Sequence, residues 1–217
     1  TTMSINLNPV YVIIAINSLV SFYCFNRPGL FDRLKFQVSA ISNGQYHRIV
    51  SSGFLHVDFT HLLFNMITLF FFGDVVVSAF GVNLFYLIYF FCLVGGGIIG
   101  YQFHKNEPYY SAVGASGAVT GILYVSILLR PEMQMMILPI PFPIPAYWVG
   151  IGYMVYSIYG MQKPFGNIGH SAHFGGAISG LLTIMLLSPW VALRYPLIMV
   201  LMILPVLYAV YLFRKRN

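Results

Sequence analysis

A serine and a histidine, each set among small residues in an apolar segment, are the side chains of this sequence best suited to chemistry. Ser116 lies in the run Gly-Ala-Ser-Gly at 114–117, and His173 lies in the run Ala-His-Phe-Gly-Gly at 172–176. A neutral imidazole can take the proton of a serine hydroxyl and then protonate a leaving amine. The pair therefore predicts a nucleophile, Ser116, and a general base, His173, that carry out hydrolysis within a membrane.

An oxyanion-binding pair is predicted from two further polar residues. His61 and Asn65 are four residues apart, so a helix through them puts both on one face. With the backbone N–H of Ser116, their side chains could donate hydrogen bonds to the negative charge of a tetrahedral intermediate. The alternative is that the two residues fasten this helix to a neighbour by interhelical hydrogen bonds.

No acidic residue accompanies His173 in its segment. The five acids lie at the ends of apolar segments or in loops, at Asp32, Asp58, Asp74, Glu107 and Glu132. A serine–histidine dyad is therefore predicted, without the acid that orients the imidazole in a triad. An unreactive His173, bonded to a backbone carbonyl, is the structural alternative.

A metal site built from histidines is another alternative. His170 and His173 are three residues apart and could share a ligand face, and His56 and His61 could join them. However, no carboxylate or thiolate accompanies these residues, and the HExxH pattern of zinc proteases is absent from the sequence. An aspartyl protease would need two membrane aspartates, and only Asp74 approaches that setting. We predict neither a metal nor another cofactor.

The composition indicates that lipid surrounds most of this chain. Of its 217 residues, 59% are hydrophobic and 7% are charged, and the mean hydropathy is +0.80. Soluble domains are about one-quarter charged. We therefore predict an all-α, polytopic membrane helical bundle that forms a single membrane domain over 1–217, with no nucleic-acid partner. Cys24 and Cys92 lie in apolar runs and are predicted to be packing residues.

Apolar runs predict the membrane-spanning helices. A helix needs roughly 20 apolar residues to cross a hydrocarbon layer about 30 Å thick. Runs that are long enough, or nearly so, are 9–25, 59–77, 82–101, 145–159, 171–187 and 195–213. The last run suggests an additional transmembrane helix that Pro196 and Pro205 would kink.

The segment that begins at Ser116 is shorter. It offers 14 residues before Arg130, about 21 Å of helix. Such a helix would begin below the membrane surface, so the chain must reach Ser116 through irregular backbone at 110–115. This backbone is stable in a membrane only when it is buried in protein or lines a wet cavity. Ser116 is therefore predicted at a helix N-terminus in a hydrated cavity, where free N–H groups favour negative charge.

Two connecting segments have distinctive compositions. Residues 26–58 mix charged and apolar side chains, which predicts short amphipathic helices at the membrane interface, with an ordinary solvated loop as the alternative. Prolines at alternate positions from 139 to 145 predict that 131–144 is an extended connector. The distribution of Lys and Arg favours an N-terminus outside the cytoplasm.

Small residues recur on the two helices that carry the predicted dyad. Gly117 and Gly121 are four residues apart, and so are Ala172, Gly176 and Gly180. Small residues at this spacing let helix backbones approach closely. Close approach would allow a hydrogen bond between Ser116 and His173.

These residues together resemble the rhomboid family of intramembrane serine proteases. The resemblance rests on His61-x-x-x-Asn65, Gly114-x-Ser116-Gly117 and Ala172-His173-x-x-Gly176. It extends to Gly-Gln-Tyr-His-Arg at 44–48 and Phe-Leu-His at 54–56, and it covers residues 9–187. Each motif is weak alone, but their order and spacing on predicted helices are specific together.

The resemblance implies a six-helix core, to which the apolar run at 195–213 would add a seventh transmembrane helix. Ser116 would form an acyl-enzyme with His173 as its base, and His61, Asn65 and the Ser116 backbone would hold the oxyanion. His56 would be structural.

The resemblance also implies the substrates and the surroundings of the site. The family cuts single-span membrane proteins near one end of their helix, where small or helix-breaking residues let a strand unwind. The span at 145–159 and the loop at 161–169 would form a gate and a cap. The active site would face the extracytoplasmic side, whereas the distribution of Lys and Arg predicts the opposite orientation. We expect the protein to lie in the cell membrane.

The chain departs from the family pattern at two positions. Many members carry an aromatic residue four positions after the serine, beneath the histidine ring, where this chain has Thr120. His47 replaces the common tryptophan before the loop arginine.

The alternative function is that of a rhomboid-like pseudoprotease, which binds membrane proteins without cutting them, although such proteins typically lack the serine or the histidine. The sequence leaves the oligomeric state open.

Overall fold

The computed structural model describes residues 7–136, 141–162 and 169–216. Over these residues the chain is mainly helical. Its helices are α1 (Pro9–Phe25), α2 (Pro28–Leu34), α3 (Val38–Ser42), α4 (Arg48–Ser51), α5 (Phe59–His104), α6 (Ser116–Leu129), α7 (Ala146–Gln162), α8 (His170–Leu187), α9 (Trp190–Arg194) and α10 (Pro196–Arg216).

Two helices in the described part of the chain, α5 and α8, are long and apolar enough to cross a membrane. Shorter apolar helices occupy Pro9–Phe25, Ser116–Leu129 and Pro196–Leu212. The prediction for 9–25 and the predicted 14-residue helix from Ser116 are confirmed. The count of six membrane crossings plus one stays a prediction.

A bend at Gly81 divides α5 into two arms, 59–80 and 82–104. Gly81 has a φ of 79°, which a residue with a Cβ adopts only with strain. The sequence predicted two helices, at about 59–77 and 82–101, and the two arms of α5 correspond to them. Both arms extend further than predicted, and one glycine turns the chain without an intervening loop.

Helix α6 lies at the centre of the fold. Its residues from Ser116 to Leu128 are all buried, and they pack against α5 and α8. Because its residues are buried among neighbouring elements, this helix does not need the length of one that faces lipid. The short helix that carries Ser116 is therefore held by its neighbours.

Glycines bring α6 and α8 into backbone contact. A Cβ on Gly176 would collide with the carbonyl oxygen of Gly117, and a Cβ on Gly180 would lie 2.7 Å from the carbonyl oxygen of Gly121. The small-residue faces predicted from the sequence therefore do meet. They set the spacing between the helices that carry Ser116 and His173.

The segment 26–58 is folded around a buried arginine. The Nη1 of Arg48 donates hydrogen bonds to the carbonyl oxygens of Asp32 at 2.7 Å and Lys35 at 2.9 Å. Short helices α2, α3 and α4 and a 3-10 turn at Ser52–Phe54 occupy this segment, as the amphipathic pattern predicted. On its exposed side, the Lys35 ammonium beside Asp32 lowers the pKa of that carboxyl.

Two short β-ladders accompany the helices, which the all-α prediction did not include. Strand β1 (Phe36–Gln37) pairs with β2 (Ser111–Ala112), and β3 (Gln134–Met135) pairs with β4 (Ile144–Pro145), both antiparallel. The first ladder ties the early loop to the backbone that leads to Ser116. The second joins the two ends of the predicted extended connector, of which 137–140 lie outside the described residues.

A polar cluster joins the end of α5 to the start of α8. His104 Nδ1 lies 2.8 Å from a carboxylate oxygen of Glu107, and His104 Nε2 lies 3.1 Å from the hydroxyl of Ser171. The ring of Tyr110 stacks on the His104 ring, with centroids 3.4 Å apart. These contacts anchor both the N-terminal turn of α8 and the approach to Ser116.

The C-terminal helix α10 packs mainly on α7. A Cβ on Gly150 of α7 would lie 3.1 Å from Cε of Met202 in α10. Pro196 is the first residue of α10, and the helix continues through Pro205. The predicted helix at 195–213 is therefore present with shifted ends, and the predicted helices at 145–159 and 171–187 extend over Ala146–Gln162 and His170–Leu187.

Candidate active site

Ser116 is the first residue of α6, as its surroundings predicted. The preceding residues reach it in an irregular conformation, with Gly114 at a φ of 126°. The N–H of Gly114 donates to the carbonyl oxygen of Ser52 at 3.0 Å, which pins this segment to the 3-10 turn. At the start of a helix the N–H of Ser116 has no acceptor within the helix, so it can serve a ligand.

His173 lies in α8 with its ring directed at Ser116. The distance from Nε2 of His173 to Oγ of Ser116 is 2.7 Å. The two residues are 3% and 8% exposed, so both groups of this hydrogen bond are almost entirely removed from the protein surface. The structure thus brings together the two side chains from which the sequence predicted a dyad.

The other nitrogen of His173 faces two hydroxyl groups that the sequence analysis missed. Nδ1 lies 3.0 Å from Oγ of Ser157 and 3.1 Å from the phenolic oxygen of Tyr153, both on α7. The Tyr153 ring also stacks on the His173 ring, with centroids 5.2 Å apart and an interplanar angle of 27°. Tyr153 and Ser157 are four residues apart, so a helix places both on one face. This spacing was the sequence signal that could have pointed to them.

Thr120 occupies the position where the family often has an aromatic residue. Its hydroxyl donates to the carbonyl oxygen of Ser116 at 2.6 Å and lies 3.4 Å from the phenolic oxygen of Tyr153. The aromatic ring that packs on His173 therefore belongs to Tyr153 of α7. In the family pattern, that aromatic residue lies on the helix of the serine, which is α6 here.

His61 and Asn65 lie on the first arm of α5 and line the same cavity as Ser116. The side-chain amide of Asn65 donates to the carbonyl oxygen of His61 at 3.0 Å, which leaves its second N–H for another acceptor. A Cβ on Gly114 would lie 2.9 Å from Nε2 of His61 and 3.7 Å from Oγ of Ser116. The His61 ring and the Ser116 hydroxyl therefore both lie beside the Cα of Gly114.

His56 anchors the backbone just before Ser116. Its Nε2 accepts a hydrogen bond from the N–H of Ala115 at 3.4 Å, and its Nδ1 lies 2.9 Å from the hydroxyl of Ser21. Because Nε2 accepts, Nδ1 carries the hydrogen and donates to Ser21. This residue connects α1 with the start of α6.

Among the residues that the structure describes, the histidines do not form a metal-binding group with acidic residues or cysteines. The rings of His170 and His173 meet edge to face with centroids 5.6 Å apart, and those of His56 and His61 with centroids 5.0 Å apart. Over residues 7–136, 141–162 and 169–216, no three His, Cys, Asp or Glu side chains are arranged to hold a metal ion. Cys24 and Cys92 are buried free thiols.

A cavity of about 610 Å³ contains the hydrogen-bonded pair. It lies between the first arm of α5 and α7, with α6 at its base. Most of its lining is apolar, and its polar lining residues include Ser116, His173, His61 and Asn65. Its volume is in the range of sites that hold small organic ligands or a few amino acid side chains. The predicted gate helix, α7, forms one wall of this cavity, whereas 163–168 of the predicted cap loop lie outside the described residues.

The fold and the cavity define a helical membrane protein with a buried serine–histidine pair. The family model described as Rhomboid domain matches residues 43–190 of the chain. The chain therefore belongs to the rhomboid family, which confirms the resemblance drawn from its motifs. The family consists of integral membrane proteins.

Three curated relatives show the range of similarity. RHOMBOID-like protein 12, mitochondrial, of Arabidopsis thaliana is 28% identical over 73% of this chain and 51% of its own length. Rhomboid protein 1, mitochondrial, of Saccharomyces cerevisiae is 27% identical over 62% of this chain and 40% of its own. Rhomboid protease GluP of Bacillus subtilis is 32% identical over 65% of this chain and 26% of its own. The chain thus matches about half or less of each relative.

These relatives bear on the predicted location. Two of the three are named as mitochondrial proteins. The comparisons support an integral membrane protein, but they do not support the more specific prediction of the cell membrane.

Proposed function

We propose that the chain is an intramembrane serine endopeptidase that cleaves transmembrane-helix substrates through an acyl-enzyme. The observation that carries this proposal is the 2.7 Å contact between Ser116 Oγ and His173 Nε2 inside a cavity large enough for a peptide segment. One of the relatives, GluP, is named a rhomboid protease. Ser116 is the proposed nucleophile and His173 the proposed base.

Acylation would begin with proton transfer from Oγ of Ser116 to Nε2 of His173. As the proton leaves, Oγ attacks the scissile carbonyl carbon and forms a tetrahedral intermediate. The C–N bond then breaks, and Nε2 returns the proton to the leaving amine. The products of this half-reaction are a free amine and an ester on Ser116.

The oxyanion of the intermediate needs donors that are already in position. We assign this role to the N–H of Ser116, the imidazole of His61 and the second N–H of the Asn65 amide, which belong to three residues that line the cavity. The positive end of the α6 dipole adds to their field. Preorganised donors of this kind are often the largest contribution to acyl-transfer catalysis.

Deacylation repeats the chemistry with water as the nucleophile. Water loses a proton to Nε2 of His173 while its oxygen attacks the ester carbon. When the second tetrahedral intermediate collapses, the Ser116–acyl bond breaks and Nε2 returns its proton to Oγ. No metal or organic cofactor takes part in the proposed cycle.

The proposed substrates are single-span membrane proteins. A substrate helix would approach between α5 and α7, and a short unwound stretch would enter the cavity. Helical peptide bonds are hydrogen bonded internally, so small or helix-breaking residues near the cleavage site lower the cost of unwinding. We further propose one membrane domain over 1–217, with seven crossings and the active site on the extracytoplasmic side.

The test combines active-site labelling with cleavage of a panel of single-span substrates in reconstituted vesicles. We expect a fluorophosphonate to label the wild-type protein, and we expect Ser116→Ala and His173→Ala to abolish both labelling and cleavage. Ser126→Ala is the matched control, because Ser126 is a buried serine of the same helix whose hydroxyl donates to the carbonyl of Phe72 at 2.7 Å. Mapped product termini would define the site preference.

The same experiment separates the alternatives. Substrate binding without labelling or cleavage would identify a pseudoprotease and reject the proposal. Cleavage that persists in Ser116→Ala would assign the nucleophile elsewhere. Loss of cleavage on exhaustive chelation, with recovery on adding metal, would revive the metal alternative.

A further inference from the structure

An imidazole that accepts a proton at Nε2 must carry its own hydrogen at Nδ1. For this reason serine hydrolases hold the histidine by an acceptor at Nδ1, commonly a carboxylate. In the described structure the groups hydrogen bonded to Nδ1 of His173 are hydroxyls, those of Ser157 and Tyr153. Which of the two fixes the tautomer depends on the direction of each hydrogen bond.

The hydrogen of the Ser157 hydroxyl is already used. Its Oγ donates to the carbonyl oxygen of Tyr153, four residues earlier, at 2.9 Å. A hydroxyl has one hydrogen and two lone pairs, so Oγ of Ser157 faces Nδ1 with a lone pair. At 3.0 Å it can accept a hydrogen bond from Nδ1–H, and this bond stabilises the tautomer in which Nε2 is free to take the Ser116 proton.

The Tyr153 hydroxyl does not select that tautomer by itself. If its hydrogen pointed at Nδ1, the imidazole hydrogen would be forced onto Nε2, where it blocks acceptance of the Ser116 proton. The ring of Tyr153 instead restricts the tilt of the His173 ring by stacking on it. Tyr153 and Ser157 therefore make different contributions, one to the plane of the ring and one to the position of its hydrogen.

We propose that Ser157 is a positioning residue that takes the place of the absent acid by accepting the Nδ1–H hydrogen bond of His173. This inference rests on the proposed roles of Ser116 and His173. The hydrogen-bonded chain then consists of the Ser116 hydroxyl on α6, the His173 imidazole on α8 and the Ser157 hydroxyl on α7. A neutral acceptor orients the imidazole without a buried carboxylate, which would carry a large desolvation cost here.

Helix α7 can reach His173 because of a glycine one turn further along. A Cβ on Gly160 would collide with the ring of His170, the residue that begins α8. Gly160 therefore allows α7 to lie close to α8 at the level of Ser157. The hydroxyl of Ser157 is fully buried, as expected of a group whose polar partners are all within the protein.

The test compares Ser157→Ala with Ser157→Thr and with Ser179→Ala. Ser179 is a matched control because it is a buried helical serine that likewise donates to the carbonyl four residues earlier, that of Gly175, at 2.9 Å. We expect Ser157→Ala to lower kcat by about 10- to 100-fold with little change in KM. Ser157→Thr, which keeps a hydroxyl, should retain most of the wild-type kcat, and Ser179→Ala should keep the wild-type kcat.

The ¹⁵N chemical shifts of His173 in detergent provide a second readout that loss of packing alone would not reproduce. Wild type should have its hydrogen on Nδ1, and Ser157→Ala should shift a fraction of the population to the Nε2–H tautomer. Unchanged kcat in Ser157→Ala, or a lowered kcat with unchanged shifts, would overturn the assignment. If wild type is inactive or Ser116→Ala remains active, the proposed function fails instead, so the two failures are distinguishable.

Discussion

The ring of Tyr153 stacks on the ring of His173, and the two come from different helices, α7 and α8. Helix α7 is also a wall of the cavity that holds Ser116. The helix that borders the proposed path of a substrate therefore also supports the proposed base. Any displacement of α7 would alter the environment of His173.

Two substitutions of Tyr153 should distinguish the contribution of its ring to turnover from that of its hydroxyl. Stacking of two aromatic rings contributes about 0.5–1.5 kcal/mol, so its loss in Tyr153→Leu should lower turnover by about 2- to 13-fold. Tyr153→Phe is the control, since it keeps the ring, and it should stay close to wild type. Turnover of a fluorogenic single-span substrate measures both variants, and an equal loss in the two would contradict a stacking role.

Gly114→Ala should disable the site while leaving most of the fold intact. An alanine there would adopt an unfavourable positive φ, and its Cβ would lie 2.7 Å from Cε1 of His61. We expect a stability loss of about 1–3 kcal/mol from backbone strain. The rate of fluorophosphonate labelling should fall by about tenfold or more as the His61 ring moves away.

Gly29→Ala is the control for this substitution, because a Cβ on Gly29 meets no atom within 4 Å. Labelling and thermal unfolding of both variants in the same detergent complete the measurement. A Gly114→Ala protein that labels as fast as wild type would show that the close approach of His61 is unnecessary.

Asn65→Ala should weaken turnover without abolishing it. The variant removes one proposed oxyanion donor, while the N–H of Ser116 and the His61 ring remain. Removal of a single donor costs about 10²–10³ in kcat in a well-studied serine protease, and we expect a loss at or below the lower end of that range here. Thr68→Ala, which changes another polar residue of the cavity wall, should have a smaller effect. Wild-type kcat in purified Asn65→Ala would remove Asn65 from the oxyanion site.

Gly176→Ala should destabilise the fold at the contact between α6 and α8. The added methyl would meet the carbonyl oxygen of Gly117, and backbone cannot move as a flexible side chain can. Overpacking of this kind costs about 1–3 kcal/mol. Gly152→Ala is the matched control, since a Cβ at that helical glycine meets nothing within 4 Å and should be neutral or stabilising.

Unfolding of both glycine variants in mixed detergent micelles measures the difference in free energy. The prediction also requires that His173 and Ser116 separate, so Gly176→Ala should lose labelling at a temperature where Gly152→Ala retains it. Equal stability of the two variants would show that the helices can move apart freely.

Part of the architecture follows from local sequence. The length of α6 could be predicted because Ser116 follows small residues and Arg130 and Pro131 end the apolar run, and both signals are local. The contact between α6 and α8 was equally accessible, since glycines four residues apart create a face that backbone can approach. A break between 77 and 82 was also predicted, but the glycine between the two apolar runs does not reveal its φ, so the sequence did not show that Gly81 alone makes the turn.

The amino-acid sequence by itself determined that Ser116 and His173, the proposed nucleophile and base, lie on apolar helices with small-residue faces, and hence that they could meet. Only the tertiary structure decided what holds the base, because Ser157 and Tyr153 become neighbours of His173 through the packing of α7 beside α8. Helical periodicity relates residues within one helix, whereas the partners of Nδ1 come from another. The His173 ring is stacked on Tyr153 of α7, whereas the family pattern places its aromatic partner on α6. This difference results from helix packing.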